Sequence, residues 1–161
     1  MSSTSSTKEA LRILKELNVD KPNINLKRVA KSLGATIKYV PLDDKLSGSI
    51  FIDRNEAKIA VNSFHHPNRQ RFTIAHEIGH LVLHSQQLQN TIHVDKKFQM
   101  FRNEKSSRGT DLLEIQANSF ASELLMPTFL LEDIVGNMTI DMDDEDTIIK
   151  LANRFLSLIH I

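Results

Sequence analysis

The sequence predicts an α+β domain, and three observations carry that prediction. Residues 67–84 have a helical apolar period, with Phe72, Ala75, Gly79 and Leu83 on one stripe and Ile78 and Val82 on its flank. Residues 111–126 repeat the pattern with Leu113, Ala117, Phe120, Ala121 and Leu124. Ahead of both, residues 36–40, 49–53 and 57–62 are short stretches rich in β-branched residues, bounded by turn-forming ones. The expected architecture is a small three-stranded sheet packed against helices.

Taken in order, residues 1–6 are polar and are expected to form a disordered lead. Thr7 caps a helix with Ala10, Leu11, Leu14 and Leu17 on the face that packs on the domain. Asn25 begins a second helix carrying Leu26, Val29, Ala30 and Leu33, and Gly34 stops it. The first strand ends at Pro41. The second follows Ser47-Gly48, and the turn 53–56 joins it to the third as a hairpin. Pro67 stands where a first helical turn begins. Residues 85–109 are polar and read as a long loop, which in a compact domain is often functional and here can border a cleft as a flap. Thr110 or Asp111 caps the next helix, and Pro127 limits it. A short helix runs from Thr128 to Gly136. The acid run 141–146 lacks the glycine turn and distant Glu of a calcium loop, and is read as acids at the N-terminus of a helix over 147–155.

The chemistry lies in His76-Glu77-Ile78-Gly79-His80. Residues four apart on a helix share a face one turn apart, so two imidazoles at that offset reach one metal ion. Glu77 then sits to the side of the ion, where it takes a proton from a metal-bound water. Chance produces H-E-x-x-H in on the order of one chain in a few hundred of this size. The alternative is a surface helix with incidental histidines, but these flanks are apolar, and buried unpaired histidines and a buried Glu are costly.

A catalytic zinc site needs a third protein ligand and leaves a fourth position to water. His84 extends the row but lies about 12 Å along the axis from His76. It is read as a group behind the ligands or a cation near the helix end. The third ligand is therefore sought on the second helix. Glu114 stands at the edge of that helix's buried face, before the small residues Ala117 and Ala121; Ala75 and Gly79 are small on the first. Small surfaces let two helices approach closely. The other reading of Glu114 is an exposed first-turn acid favoured by the helix dipole. Among the remaining polar candidates, His93 reads first as an exposed loop histidine, and is the best unassigned candidate for an extra polar group near the site. His65 and His66 read as loop residues, Arg69 and Arg71 as solvated charges, and Tyr39 as a half-buried strand residue rather than an oxyanion donor.

Arg71 to His80 followed by Glu114-x-x-Ala117-Asn118-x-Phe120-Ala121-x-Glu123-Leu124-Leu125-Met126-Pro127 resembles the ImmA/IrrE metallo-endopeptidases. The resemblance spans about residues 26–155. It implies a zincin-like arrangement with one catalytic Zn2+ held by His76, His80 and Glu114, and Glu77 as catalytic base. It further implies substrates among helix-turn-helix repressors of phages and mobile elements, or stress-response regulators. The end departs from the family. Residues 156–161 resemble translated adapter sequence found at the ends of assembled metagenomic genes. They are read as a non-native tail, which leaves 7–155 as a single metallopeptidase domain.

Composition sets the bounds. Twenty basic residues balance twenty acidic ones in 161, so net charge gives no reason to expect direct nucleic-acid binding. There is no cysteine, which excludes disulfides and thiolate ligands and leaves nitrogen and oxygen donors for zinc. The start lacks the regions of a signal peptide, and no apolar run is long enough to span a bilayer. The expectation is a cytoplasmic zinc endopeptidase. The rival is a non-catalytic, zinc-stabilised regulatory module that binds a repressor or antitoxin. A weaker third reading is a zinc hydrolase acting on a non-peptide amide.

Overall fold

A computed structural model describes residues 3–96, 107–136 and 144–155. The chain runs α1 (Ser3–Glu16), α2 (Leu26–Ser32), β1 (Ala35–Val40), β2 (Leu46–Asp53), β3 (Glu56–Asn62), α3 (Pro67–Leu88), β4 (Ile92–Lys96), α4 (Ser107–Leu125), α5 (Thr128–Gly136) and α6 (Glu145–Phe155). The α+β class is as expected. Among the described residues the sheet has four strands, in the order β1-β3-β2-β4.

The fourth strand corrects the three-stranded expectation. Ile92-His93-Val94-Asp95 alternates apolar and polar residues, a strand signal masked by the polar sequence on both sides. β4 pairs antiparallel with β2, with Ile50 opposite His93. The register shifts between Leu46 and Gly48, leaving Ser47 as an extra residue in β2. β2 and β3 form the expected hairpin, closing on Asp53 opposite Glu56, and β1 joins β3 in parallel.

α1 begins at Ser3, not at Thr7, so the lead expected to be disordered is helical from residue 3. The reason is burial: Ser6 sits one turn before Ala10 on the same face, and Ser6, Ala10, Ile13 and Leu14 are all buried. α1 packs chiefly on α4. α2 is as read: Asn25 Oδ1 accepts from the Arg28 N–H at 3.1 Å, and Leu26, Val29 and Ala30 are buried. Gly34 follows with φ +74°, a conformation L residues rarely adopt.

α3 lies on β2 and β3, and α4 lies on α3. Their contact is close because Gly79 has no side chain: a Cβ there would stand 3.1 Å from the Ala117 carbonyl oxygen and 3.1 Å from Phe120. The core gathers Ile50, Ile52, Ile59 and Val61 from the sheet, Ile74, Ala75 and Ile78 from α3, and Phe120, Ala121 and Leu124 from α4. α6 adds Phe155, and Asp144 caps its start, Oδ1 accepting from the Asp146 N–H at 3.2 Å and Oδ2 from the Thr147 hydroxyl at 2.6 Å.

Asn62 ends β3 and ties two loops to the sheet. Its Nδ2 donates to the Leu46 carbonyl at 2.8 Å and the Asp43 carbonyl at 3.0 Å, and its Oδ1 accepts from the Phe64 N–H at 3.0 Å. This buried amide positions the turn into α3. Among the described residues, no helix is long and apolar enough to cross a membrane. Parts of the expected flap (97–106) and acid run (141–143), and the tail 156–161, lie outside the described residues.

Candidate metal centre

Three consecutive elements converge. α3 presents His76, Glu77, His80 and His84, β4 presents His93 and Asp95, and α4 presents Glu114, Gln116 and Asn118. His76 Nε2 lies 3.1 Å from His80 Nε2 and 3.0 Å from Glu114 Oε2. His80 Nε2 lies 3.3 Å from Glu114 Oε1, and His93 Nε2 lies 3.1 Å from the same oxygen. One donor atom from each of these four residues falls within 4.8 Å of every other. Donors bound tetrahedrally to one zinc ion lie roughly 3.3–3.4 Å apart, twice a bond of about 2.0–2.1 Å scaled by the tetrahedral angle. The His76, His80 and Glu114 spacings run from 3.0 to 3.3 Å, at or a little below that figure, so the residues fit a metal ion with nitrogen and oxygen donors.

The geometry brings Glu114 to the two histidines, as expected of a second helix approaching through small residues. It also brings His93, which the sequence left as the best unassigned group and which β4 carries into the cluster.

The groups behind the donors set their tautomers. Asn118 Oδ1 lies 2.8 Å from His76 Nδ1 and can only accept, so Nδ1 carries the proton and Nε2 faces the cluster. His84 Nε2 lies 2.8 Å from Gln116 Oε1 and donates to it. That leaves His84 Nδ1 as the acceptor for the Nδ1–H of His80, 3.0 Å away, and His80 Nε2 bare toward the cluster. His84 is buried and sits behind His80, one of the two places the sequence allowed it. It is also where α3 leaves helical geometry, at φ −129° and ψ 17°. Asn118 lies four residues after Glu114, so helical spacing was the signal for its role.

Glu77 is fully buried, and neither carboxylate oxygen has a hydrogen-bond partner among the described residues. Burial pushes its carboxyl well above the usual range, and the charge of His76 only partly opposes this. Burial lowers His76, but Glu114 and Glu77 outweigh it and raise the imidazole to about 9. Burial takes His80 down to about 4. Glu114 would be raised by burial, yet His76, His80 and His93 hold it well below the usual carboxylate range. Asp95, raised by burial, is near enough for its charge to act on both Glu77 and His76.

The other sequence candidates stand apart. His65 is buried against the Asp44 carbonyl at 3.2 Å, and His66 Nδ1 caps α3 by accepting from the Asn68 N–H at 3.2 Å. Arg69 donates to Ser47 Oγ at 3.2 Å and Arg71 to the Ile24 carbonyl at 3.0 Å, so neither is the freely solvated charge expected. Tyr39 is half exposed on β1, with two strands between it and β4.

Comparison with a known family covers the stretch of chain that holds these residues. A peptidase family profile described as the IrrE N-terminal-like domain matches residues 30–156. Over 103 residues the chain is 32% identical to the "Radiation response metalloprotease IrrE" of Deinococcus deserti, covering 63% of this chain and 33% of that protein. Over 110 residues it is 29% identical to the "Uncharacterized immunity region protein 2" of Bacillus phage phi105, covering 67% of this chain and 63% of that protein. The chain thus spans a third of the first relative and under two-thirds of the second.

Proposed function

The chain belongs to the IrrE N-terminal-like peptidase family, and from that membership we propose that it is a zinc-dependent endopeptidase cutting a protein substrate, namely a helix-turn-helix repressor or regulator of a phage or mobile element. In this reading α1 to α6 form one zincin-like domain, working in the cytoplasm where such regulators act. His76, His80 and Glu114 hold the zinc ion. When bound, zinc polarises the scissile carbonyl and lowers the pKa of water toward neutrality. Glu77 takes the proton from the attacking water at a carboxylate oxygen and delivers it to the leaving amine. β4 is the edge strand beside the cluster, so an extended substrate segment can pair along it.

The observation that carries the reading is Glu77. A fully buried carboxylate with no hydrogen-bond partner among the described residues, one residue from a histidine of the cluster, is expensive to keep. A purely structural zinc site has no use for it, which disfavours the regulatory module. The name of the phage relative, an immunity region protein, supports a regulator as target.

The test starts with metal content by mass spectrometry for wild type and Glu114→Ala, purified without chelator. About one zinc per wild-type chain, lost or much weakened in the variant, is expected. Helix-turn-helix proteins encoded beside the gene are then mixed with wild type and with Glu77→Gln. Loss of the full-length partner with wild type alone supports the endopeptidase. Stable binding with no cleavage by the zinc-loaded wild type favours the module that holds a repressor or antitoxin.

A further inference from the structure

We propose that His93 is a fourth protein ligand, which closes the metal's coordination shell in this conformation, so that the site opens only when β4 withdraws it. The inference rests on the metal reading above and goes beyond it, because a zinc site that hydrolyses keeps one position free of protein donors.

Three observations carry it. His93 Nε2 stands 3.1 Å from Glu114 Oε1, yet neither atom has an aligned hydrogen bond among the described residues. Both atoms are thus left for a further partner, and His80 Nε2 lies 3.3 Å from the same oxygen. The ring of His93 also packs on that of His80, with centroids 4.2 Å apart. Its side chain is only 17% exposed although it belongs to an edge strand, so it is turned into the cluster.

The place of β4 in the sheet supports the same inference. β4 is five residues long and, among the described residues, pairs with β2 alone, and the ladder is interrupted at Ser47 by the extra residue. An edge strand held along one side, next to a bulge, is the least costly element of a sheet to displace. Neither α3 nor α4 has that freedom, since each is packed into the core. A metal held by all four protein donors would have no position left for water, and one released by His93 would have one for Glu77 to serve. A segment pairing along the outer edge of β4 would act on the same strand that carries His93, which links opening to substrate arrival.

The experiment replaces zinc with Co2+ in the full chain and records the visible absorption of wild type and His93→Ala, with azide as a small probe of a free position. The wild type is expected to give a four-coordinate spectrum that millimolar azide does not change. His93→Ala is expected to bind Co2+ at least about tenfold more weakly, to show an altered spectrum and to respond to azide. Added imidazole is expected to restore the wild-type bands, which a merely unfolded variant cannot do. Equal affinities and spectra, or an equal azide response in wild type, overturn the role of His93 while leaving the metal site intact. Failure of the wild type to bind either Co2+ or zinc overturns the metal reading itself, and this inference with it.

Discussion

His80 and His84 face each other through their Nδ1 atoms, 3.0 Å apart, with Gln116 fixing the far side of His84 at 2.8 Å. A single proton orientation satisfies the row: Gln116 accepts, His84 donates from Nε2 and accepts at Nδ1, and His80 is left with Nε2 free for a metal. Gln116→Leu preserves volume and removes the last acceptor. It is expected to weaken zinc binding by about 10–100-fold, measured by competition with a chromophoric chelator. Wild-type affinity in Gln116→Leu would remove His84 and Gln116 from any part in setting the site.

Glu77→Gln keeps the shape of the side chain and removes the base. The expected outcome is full zinc content with hydrolysis lowered by about 10²–10⁴-fold. His80→Ala, by contrast, is expected to lose the metal. Metal analysis beside a cleavage assay separates the two, and normal cleavage by Glu77→Gln would end the proposed mechanism.

Metal binding should release a proton. In the metal-free protein His76 is raised to about 9, against burial, by the acids around it, whereas His80 is lowered by burial to about 4. Between those values His76 holds a proton that the metal must displace, and His80 does not. The His76–His80 pair therefore contributes about one proton per ion bound across that window. Affinity should rise about tenfold per pH unit from this pair and level off above about pH 9, which calorimetry in buffers of different ionisation enthalpy will read directly.

Gly79 is a point of close approach between α3 and α4. A leucine there must displace the Ala117 carbonyl and Phe120, each 3.1 Å from the first added carbon. Gly79→Leu is expected to cost about 1–3 kcal/mol of stability in urea unfolding. It should also lower metal affinity by moving Glu114 away from the histidines. A variant as stable as wild type would show that the two helices are not held at this distance by packing.

Asn62→Ala removes a buried amide bound to the Leu46 and Asp43 carbonyls and the Phe64 N–H. The expected loss is about 2–4 kcal/mol, since the partners are left unsatisfied. The damage should centre on the turn into α3, visible as faster amide exchange there than in α4.

The two long helices were legible because each repeats its pattern over several turns, and the spacing of His76 and His80 fixed their common face. Glu114 was reachable only in part. Its position beside Ala117 and Ala121 suggested a close helix approach, while the opposite reading, an exposed acid, was equally compatible with one helix seen alone. β4 was lost because four alternating residues between polar neighbours make a weak signal, although Ile92 and Val94 against His93 and Asp95 spell it out afterwards. The start of α1 was misplaced because serines favour caps and turns, and only the burial of Ser6 against the fold overrides that preference. The roles of His84 and Gln116 depend on which nitrogen meets which oxygen, which no spacing rule encodes.

The four residues that could hold a metal ion run from His76 to Glu114, on three elements that succeed one another along the chain. An ion held there would act as a clasp on one length of polypeptide. Its loop-closure cost is modest, because the segments it joins are already near neighbours in sequence. Occupancy should then slow amide exchange chiefly in α3, β4 and α4, and leave α2 and β1 opening at their own pace. The protein would carry one stretch whose rigidity is set by metal supply, seated on a frame that keeps its shape regardless.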